Sequence, residues 1–249
     1  MKRYRAPLLN SHPAPYARWV GFVAAWILGT CSANAQLAYD GVLSGDFSGD
    51  APSLNMDGDY QIAWTEGTLV SGSSVTNLFH GFSRFDVTPS VGAVFDGEGA
   101  PPIDHILVRI NSPTGSASWI DGNVSSNIPG ASLFLLNPDG FLIGENGDFS
   151  SLGAIHVSTA DSLTDDQGDR FELSTEAPSV LLSGTPVQFG FLARPTGVDP
   201  SIPDIDFRGE MSSGHEPRPN VGPDPLWDGR IHISGRIIRI SAENGRRSI

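Results

Sequence analysis

The sequence predicts an all-β protein, and three observations carry that prediction. The chain has 29 glycines and 19 prolines in 249 residues, a composition suited to many turns. Beyond residue 35 no apolar pattern holds helical spacing, whereas period-two alternation recurs. Between the alternating runs stand turn signals: "SPTG", "IDGN", "NIPG", "NPDG" and "GENGD". A sandwich, a barrel and a right-handed β-helix all satisfy these observations.

The elements follow in chain order. Lys2, Arg3, Arg5 and Arg18 precede the apolar run "WVGFVAAWILGT", and Ala33-x-Ala35 offers a small-residue cleavage site. Residues 1–35 are therefore expected to be a signal peptide cleaved after Ala35. A twelve-residue apolar run is short for a transmembrane helix. Cleavage removes four of the fifteen basic residues and no acidic one, leaving 11 against 28, a formal charge of −17. It also removes Cys31 and Lys2, the only cysteine and lysine, so the mature chain forms no disulfide. Such acidity argues against nucleic acid and anionic membranes as partners.

Residues 36–58 are polar and glycine-rich and are expected to cap an exposed end. In "YQIAW", Tyr60, Ile62 and Trp64 share one face; in "HILVRIN", Ile106, Val108 and Ile110 oppose Leu107 and Arg109. "SLFLL" is apolar on both faces, the mark of a strand covered from two sides. Ile155 with Val157, Ile231 with Ile233 and Ile238 with Ile240 complete the alternating pairs. Residues 194–229 carry seven prolines and read as a long loop or extension. No fixed repeat emerges: Gly122, Gly140 and Gly153 precede strands at spacings of 18 and 13.

Catalytic and metal chemistry find little support. No "GxSxG" occurs. His80, His105, His156 and His232 lack metal-ligand spacing, and His80 is expected to be structural or a surface residue rather than a base. Asp46, Asp50, Asp57 and Asp59 are a candidate calcium set without an EF-hand pattern. Asp161, Asp165, Asp166 and Asp169 read as a solvated loop. Asn77, Asn111, Asn127, Asn137 and Asn146 sit beside strands or turns, where amides cap backbone or stack as ladders. "NPDG" reads as a tight turn, Pro138 fixing φ and Gly140 permitting an unusual conformation.

The blocks "GSSVTNLFHGFSRFDV", "WIDGNV", "ASLFLLNPDGFLIGENGDF" and "GAIHVSTADSL", in that order, carry a family resemblance. Together they resemble the N-terminal secretion domain of filamentous haemagglutinin-like exoproteins, the passengers of bacterial two-partner secretion. The resemblance covers roughly residues 37–190. It implies an all-β, right-handed parallel β-helix with an N-terminal cap and extra-helical β elements. It also implies export through the periplasm of a Gram-negative bacterium to the cell surface. There an outer-membrane barrel, through periplasmic receptor domains, recognises the unfolded chain, and folding outside starts from this domain. Neither cofactor, metal nor catalytic residue is implied. Asn77, Leu78 and Phe79 match the family's "NLF" segment, and Asn137, Pro138, Asp139 and Gly140 match its "NPNG" turn with Asp in the third place. These seven residues are the expected secretion motif.

The expected organisation is a signal peptide at 1–35, the secretion domain at 36–193, and a proline-rich extension continuing the β-helix at 194–249. Rungs of ~20–25 residues would give the mature chain on the order of ten rungs and ~45 Å. A monomer is expected, with host or surface glycans as a secondary partner class. Family members usually run on through long repeats, so a chain ending at Ile249 is expected to be a truncated product, a fragment or a stand-alone secretion domain. The rival functions are a stand-alone surface adhesin and a β-helical polysaccharide-acting enzyme.

Overall fold

Short alternating strands with one apolar face need a partner layer, and here the chain supplies it by coiling back on itself. The computed structural model describes residues 37–43, 49–151, 153–173, 180–192, 204–208, 210–213, 231–235 and 238–240. The expected leader with Ala35, together with Asp46 and most of the proline-rich stretch, lies outside the described residues.

Strands β1 (Leu37–Tyr39) and β2 (Ser53–Leu54) precede the coil. The first rung runs through β3 (Tyr60–Ala63), an excursion β4 (Thr68–Ser71), the long β5 (Thr76–Phe85) and a bridge at Val87. The second contains β6 (Ala93–Asp96), β7 (His105–Ile110) and β8 (Ser118–Ile120). The third contains β9 (Asn123–Ser126), β10 (Ser132–Leu136) and β11 (Phe141–Ile143). The fourth starts with β12 (Asp148–Ser151) and β13 (Ile155–Ser158). It then detours through β14 (Ser162–Asp165), β15 (Arg170–Glu172) and β16 (Pro186–Gly190) before β17 (Ile205–Phe207). The fifth contains β18 (Glu210–Ser213), β19 (Ile231–Ser234) and β20 (Ile238–Ile240).

Corresponding strands of successive rungs pair in parallel, giving three faces: β3-β6-β9-β12-β18, β5-β7-β10-β13-β19 and β8-β11-β17-β20. The fold is a right-handed parallel β-helix, all-β as expected. β1 pairs antiparallel with β5 and β2 with β3, so both close the edges of the first rung, as a cap must. The detour β14–β16 forms its own antiparallel sheet outside the coil, ordered β15-β14-β16.

Alternation along the β5 face sorts side chains into columns. Leu78, Ile106, Leu133 and Ile155 align inward, and so do His80, Val108, Leu135 and Val157. The aliphatic members belong to the core inside the coil. Phe79, Leu107, Phe134 and His156 align outward. There Phe79, Leu107, Phe134 and Leu136 join Leu163, Phe171, Leu173 and Leu182 in a second apolar core, between the coil and the extra-helical sheet. "SLFLL" is thus apolar on both faces because each face has its own core.

The described residues hold five rungs, about half the number that the chain length suggested. Register explains the difference and the missing repeat. Asn77 pairs with His105 and His105 with Ser132, so those rungs are 28 and 27 residues long. Leu133 to Ile155 is 22 residues, but Ile155 to Ile231 is 76, because the detour and the linking segments are inserted there. Uniform coil length was the wrong premise. Side chains also tie rungs together: Gln61 and Asn127 both donate to Asp96, at 2.5 and 2.9 Å, spanning rungs one to three. Asn127 thus acts as an individual inter-rung clamp, with Asp96 as the acceptor it shares with Gln61.

Candidate secretion-motif site

β5 places the first motif segment at the start of the face that carries the second core. Strand alternation turns Leu78 inward and Asn77 and Phe79 outward, and all three are fully buried. The Asn77 amide nitrogen donates to the carbonyls of Leu182 (2.8 Å) and Gly184 (2.9 Å), while its oxygen meets His105 Nδ1 at 2.8 Å. One side chain thereby joins the first rung, the second rung and the segment entering β16. Phe79 meets Phe171 edge-on at 5.2 Å between ring centres. The extra-helical segment therefore covers both outward residues of the motif.

The second motif is the turn from β10 to β11. Gly140 N donates to Asn137 O at 3.1 Å, closing the turn, and Asp139 N donates to Asn137 Oδ1 at 2.9 Å. Asn137 Nδ2 donates to Ser118 Oγ at 3.0 Å, tying the third rung to the second. Gly140 has φ 113°, a region costly for any residue with a Cβ, and such a Cβ would stand 2.6 Å from the Asp204 carbonyl of the fourth rung. Gly140→Ala is expected to cost about 1–3 kcal/mol in a urea titration. Asn137 and Gly140 are buried, Pro138 is half-buried and Asp139 is exposed. Partial desolvation, then the nearby Asp161 carboxylate, raises the Asp139 carboxyl above the usual range.

The fold does not bring the two motif segments together. In register, Asn77 matches Ser132, whereas Asn137 follows the far end of β10. The separation is about 16 Å along the strands, with one rung between them. They occupy opposite ends of one face.

His80 points into the coil among Phe82 and Phe95, with ring centres 6.4 and 5.6 Å away, and neither ring nitrogen has a hydrogen-bond partner. It is a core residue. The other histidines, separated in sequence, meet in space. Phe134 stacks on His156 at 4.1 Å, His156 on His232 at 4.8 Å, and His105 meets Phe134 edge-on at 5.8 Å. Parallel stacking keeps the His156 and His232 nitrogens from converging. Among the described residues no group of three or more His, Cys, Asp or Glu could hold a metal ion. Of the candidate calcium set, Asp59 accepts from Gly92 N at 2.5 Å, while Asp50 and Asp57 are exposed.

Buried imidazoles set a pH window. Burial lowers the pKa of His80 to about 3; burial, then His232 and His105, lower that of His156 to about 2, both from 6.5. Both are neutral in the folded chain at a pH where the unfolded chain protonates them. Their contribution is fully present above the unfolded value and is lost as pH falls below it, by about 1.4 kcal/mol per pH unit for each histidine. Urea midpoints at about pH 7.5 and about pH 5.5 check this, and His80→Phe is expected to remove its share of the slope.

The reading of Asp161 to Asp169 as a solvated loop needs correction. Asp161 and Asp165 are buried. Asp165 Oδ1 accepts from Gln167 N and Asp169 N at 3.0 and 2.9 Å, and its Oδ2 accepts from Gly184 N at 2.9 Å. Asp161 Oδ2 accepts from Leu192 N at 2.6 Å. These carboxylates are buried because they satisfy backbone donors of the detour; Asp166 and Asp169 stay exposed. The largest omission from sequence reasoning is the ion pair Arg109–Asp40, at 2.6 Å with side chains 0 % and 6 % exposed. Its only signal was a charge at a position alternating with Leu107.

The fold defines the class as a capped parallel β-helix whose outer face carries an extra-helical sheet. A family model described as TPS secretion domain matches residues 58–198, more than half of the chain, and the chain belongs to this family. Membership makes it a two-partner secretion substrate, recognised by a partner transporter and carried across a Gram-negative outer membrane. A search of curated proteins gives no match.

Proposed function

We propose that the chain is read by its transporter while unfolded, through Asn77–Phe79 and the Asn137–Gly140 turn, and that these residues then lock into the β-helix at the cell surface. One observation carries this order of events: Asn77, Leu78, Phe79, Asn137 and Gly140 are all buried in the native fold. A folded chain offers a receptor little more than Pro138 and Asp139, so recognition through the other five precedes folding. Periplasmic receptor domains of the barrel are the partner, and the role is transport and fold nucleation without catalysis. The secretion domain occupies 36–193 after cleavage at Ala35. The reading of 194–249 as an extension that continues the coil is supported by its described strands β17 to β20, which stack on earlier rungs.

The test is secretion of Asn77→Ala, Phe79→Ala, Asn137→Ala and Gly140→Ala full-length chains through the partner barrel. Binding of each urea-unfolded variant to the barrel's receptor domains is measured alongside. Weaker binding with reduced secretion is expected, and wild-type binding and secretion by all four would remove the motif's role.

A second reading, glycan contact by an adhesin, draws on one cleft of about 190 Å³ lined by Trp119, Leu142, Ile143, Gly144, Asp206 and Arg208. Trp119 and Leu142 are exposed and paired in register, beside the Asp206–Arg208 ion pair at 3.0 Å. An exposed indole beside a carboxylate and a guanidinium suits a sugar ring. Loss of cell-surface binding in Trp119→Ala is the expected sign.

A further inference from the structure

The detour β14–β16 leaves the coil after β13, downstream of the first three rungs, yet it covers all three. The outward residues Phe79, Leu107, Phe134 and Leu136 come one after another from rungs one, two and three. Each is at most 1 % exposed. Leu43 and Val70 from upstream reach this cluster, but most of the cover, Leu163, Phe171, Leu173 and Leu182, comes from later in the chain. Asn77 on the first rung takes both of its carbonyl acceptors from positions 105 and 107 residues onward. The strap is itself held by buried Asp165, whose carboxylate accepts from Gly184 N beside those same carbonyls.

In an ordinary solenoid each rung is stabilised by its neighbours alone, so folding can advance rung by rung from one end. Here that scheme leaves the growing coil with a mostly uncovered apolar face, because most of the cover of one of its two cores comes from downstream residues. Closing a contact across more than a hundred residues is slow, since loop entropy precedes any gain from the contact.

We propose that the described parts of the detour, residues 160–173 and 180–190, are a latch: the first rungs of the β-helix become native only when they dock, so the domain closes in one late step. If the chain is threaded unfolded through the outer membrane, as proposed above, Asn77 and Phe79 remain uncovered until residue 184 has emerged. The latch claim itself does not depend on that reading, because it concerns the refolding of the free chain.

Pulse-labelled hydrogen exchange during refolding of the full chain from urea tests it. Amides of β5 and β7 are expected to gain protection in the same kinetic phase as those of β14 and β16. Protection of β5 and β7 in an earlier phase, with β14 and β16 following, would overturn the proposal. In Phe171→Ala, or Leu182→Ala if the first variant does not refold, the protection rates of β5 and β14 are expected to fall several-fold together. A variant that slows β14 and leaves β5 at the wild-type rate would also overturn it. No transporter enters these measurements, so a negative result here leaves the secretion reading to its own test.

Discussion

Asp40→Ala is expected to destabilise the domain by about 3–5 kcal/mol, the cost of leaving one member of a buried ion pair uncompensated. Arg109 lies on the outward side of β7, with no exposure at all, and its guanidinium meets Asp40 at 2.6 Å. The other Asp40 oxygen accepts from Val42 N and Leu43 N at 2.8 and 3.1 Å, shaping the bend that follows β1. Removing the carboxylate therefore takes the ion-pair partner from a buried cation between the cap and the coil and frees the bend. A double replacement, Asp40→Leu with Arg109→Met, is expected to recover most of the loss, since a buried pair is often no better than well-packed apolar residues. Urea titration at neutral pH of the two variants beside the wild type reads both effects. A loss below about 1 kcal/mol in Asp40→Ala would place the pair in the weak, solvated class.

Phe79→Ala is the second large effect, also about 3–5 kcal/mol. The ring is fully buried in the outer core and packs edge-on against Phe171. Its removal opens a cavity where the coil, β4 and the extra-helical sheet meet, because Val70 of β4 packs against the same cluster. A double-mutant cycle with Phe171→Ala is expected to show a coupling of about 0.5–1.5 kcal/mol beyond simple burial. Additive losses from the two replacements would contradict direct ring contact as the source. Because Phe79 also belongs to the proposed recognition motif, this variant separates two effects: stability is read on the folded chain, recognition on the unfolded one.

Local chemistry made part of this structure legible in the sequence. "SLFLL" betrayed two covered faces because inward and outward positions are both apolar, and the structure places a core on each side of β10. "HILVRIN" sorted its inward residues correctly by alternation. The "NPDG" turn was readable because proline fixes the backbone and glycine frees it, and Gly140 indeed has a positive φ. What stayed hidden depends on distance along the chain. Nothing near Asn77 announces acceptors at Leu182 and Gly184, and nothing near Arg109 announces a partner 69 residues earlier. Asp161 and Asp165 looked like solvated acids because their donors are backbone amides, which carry no sequence signal. The rung count failed for the same reason: an excursion of short strands reads like further coil until register separates them. Of the candidate site, the strand and the turn that hold its residues were legible, and their burial at opposite ends of one face was not.

The most direct test of the central claim is to produce the full chain in a Gram-negative host with and without its outer-membrane barrel, and to follow where the folded protein appears. With the barrel, protease-resistant chain is predicted at the surface or in the medium; without it, the chain is predicted to stay in the periplasm. Equal release in both strains, or retention despite the barrel, would contradict the account.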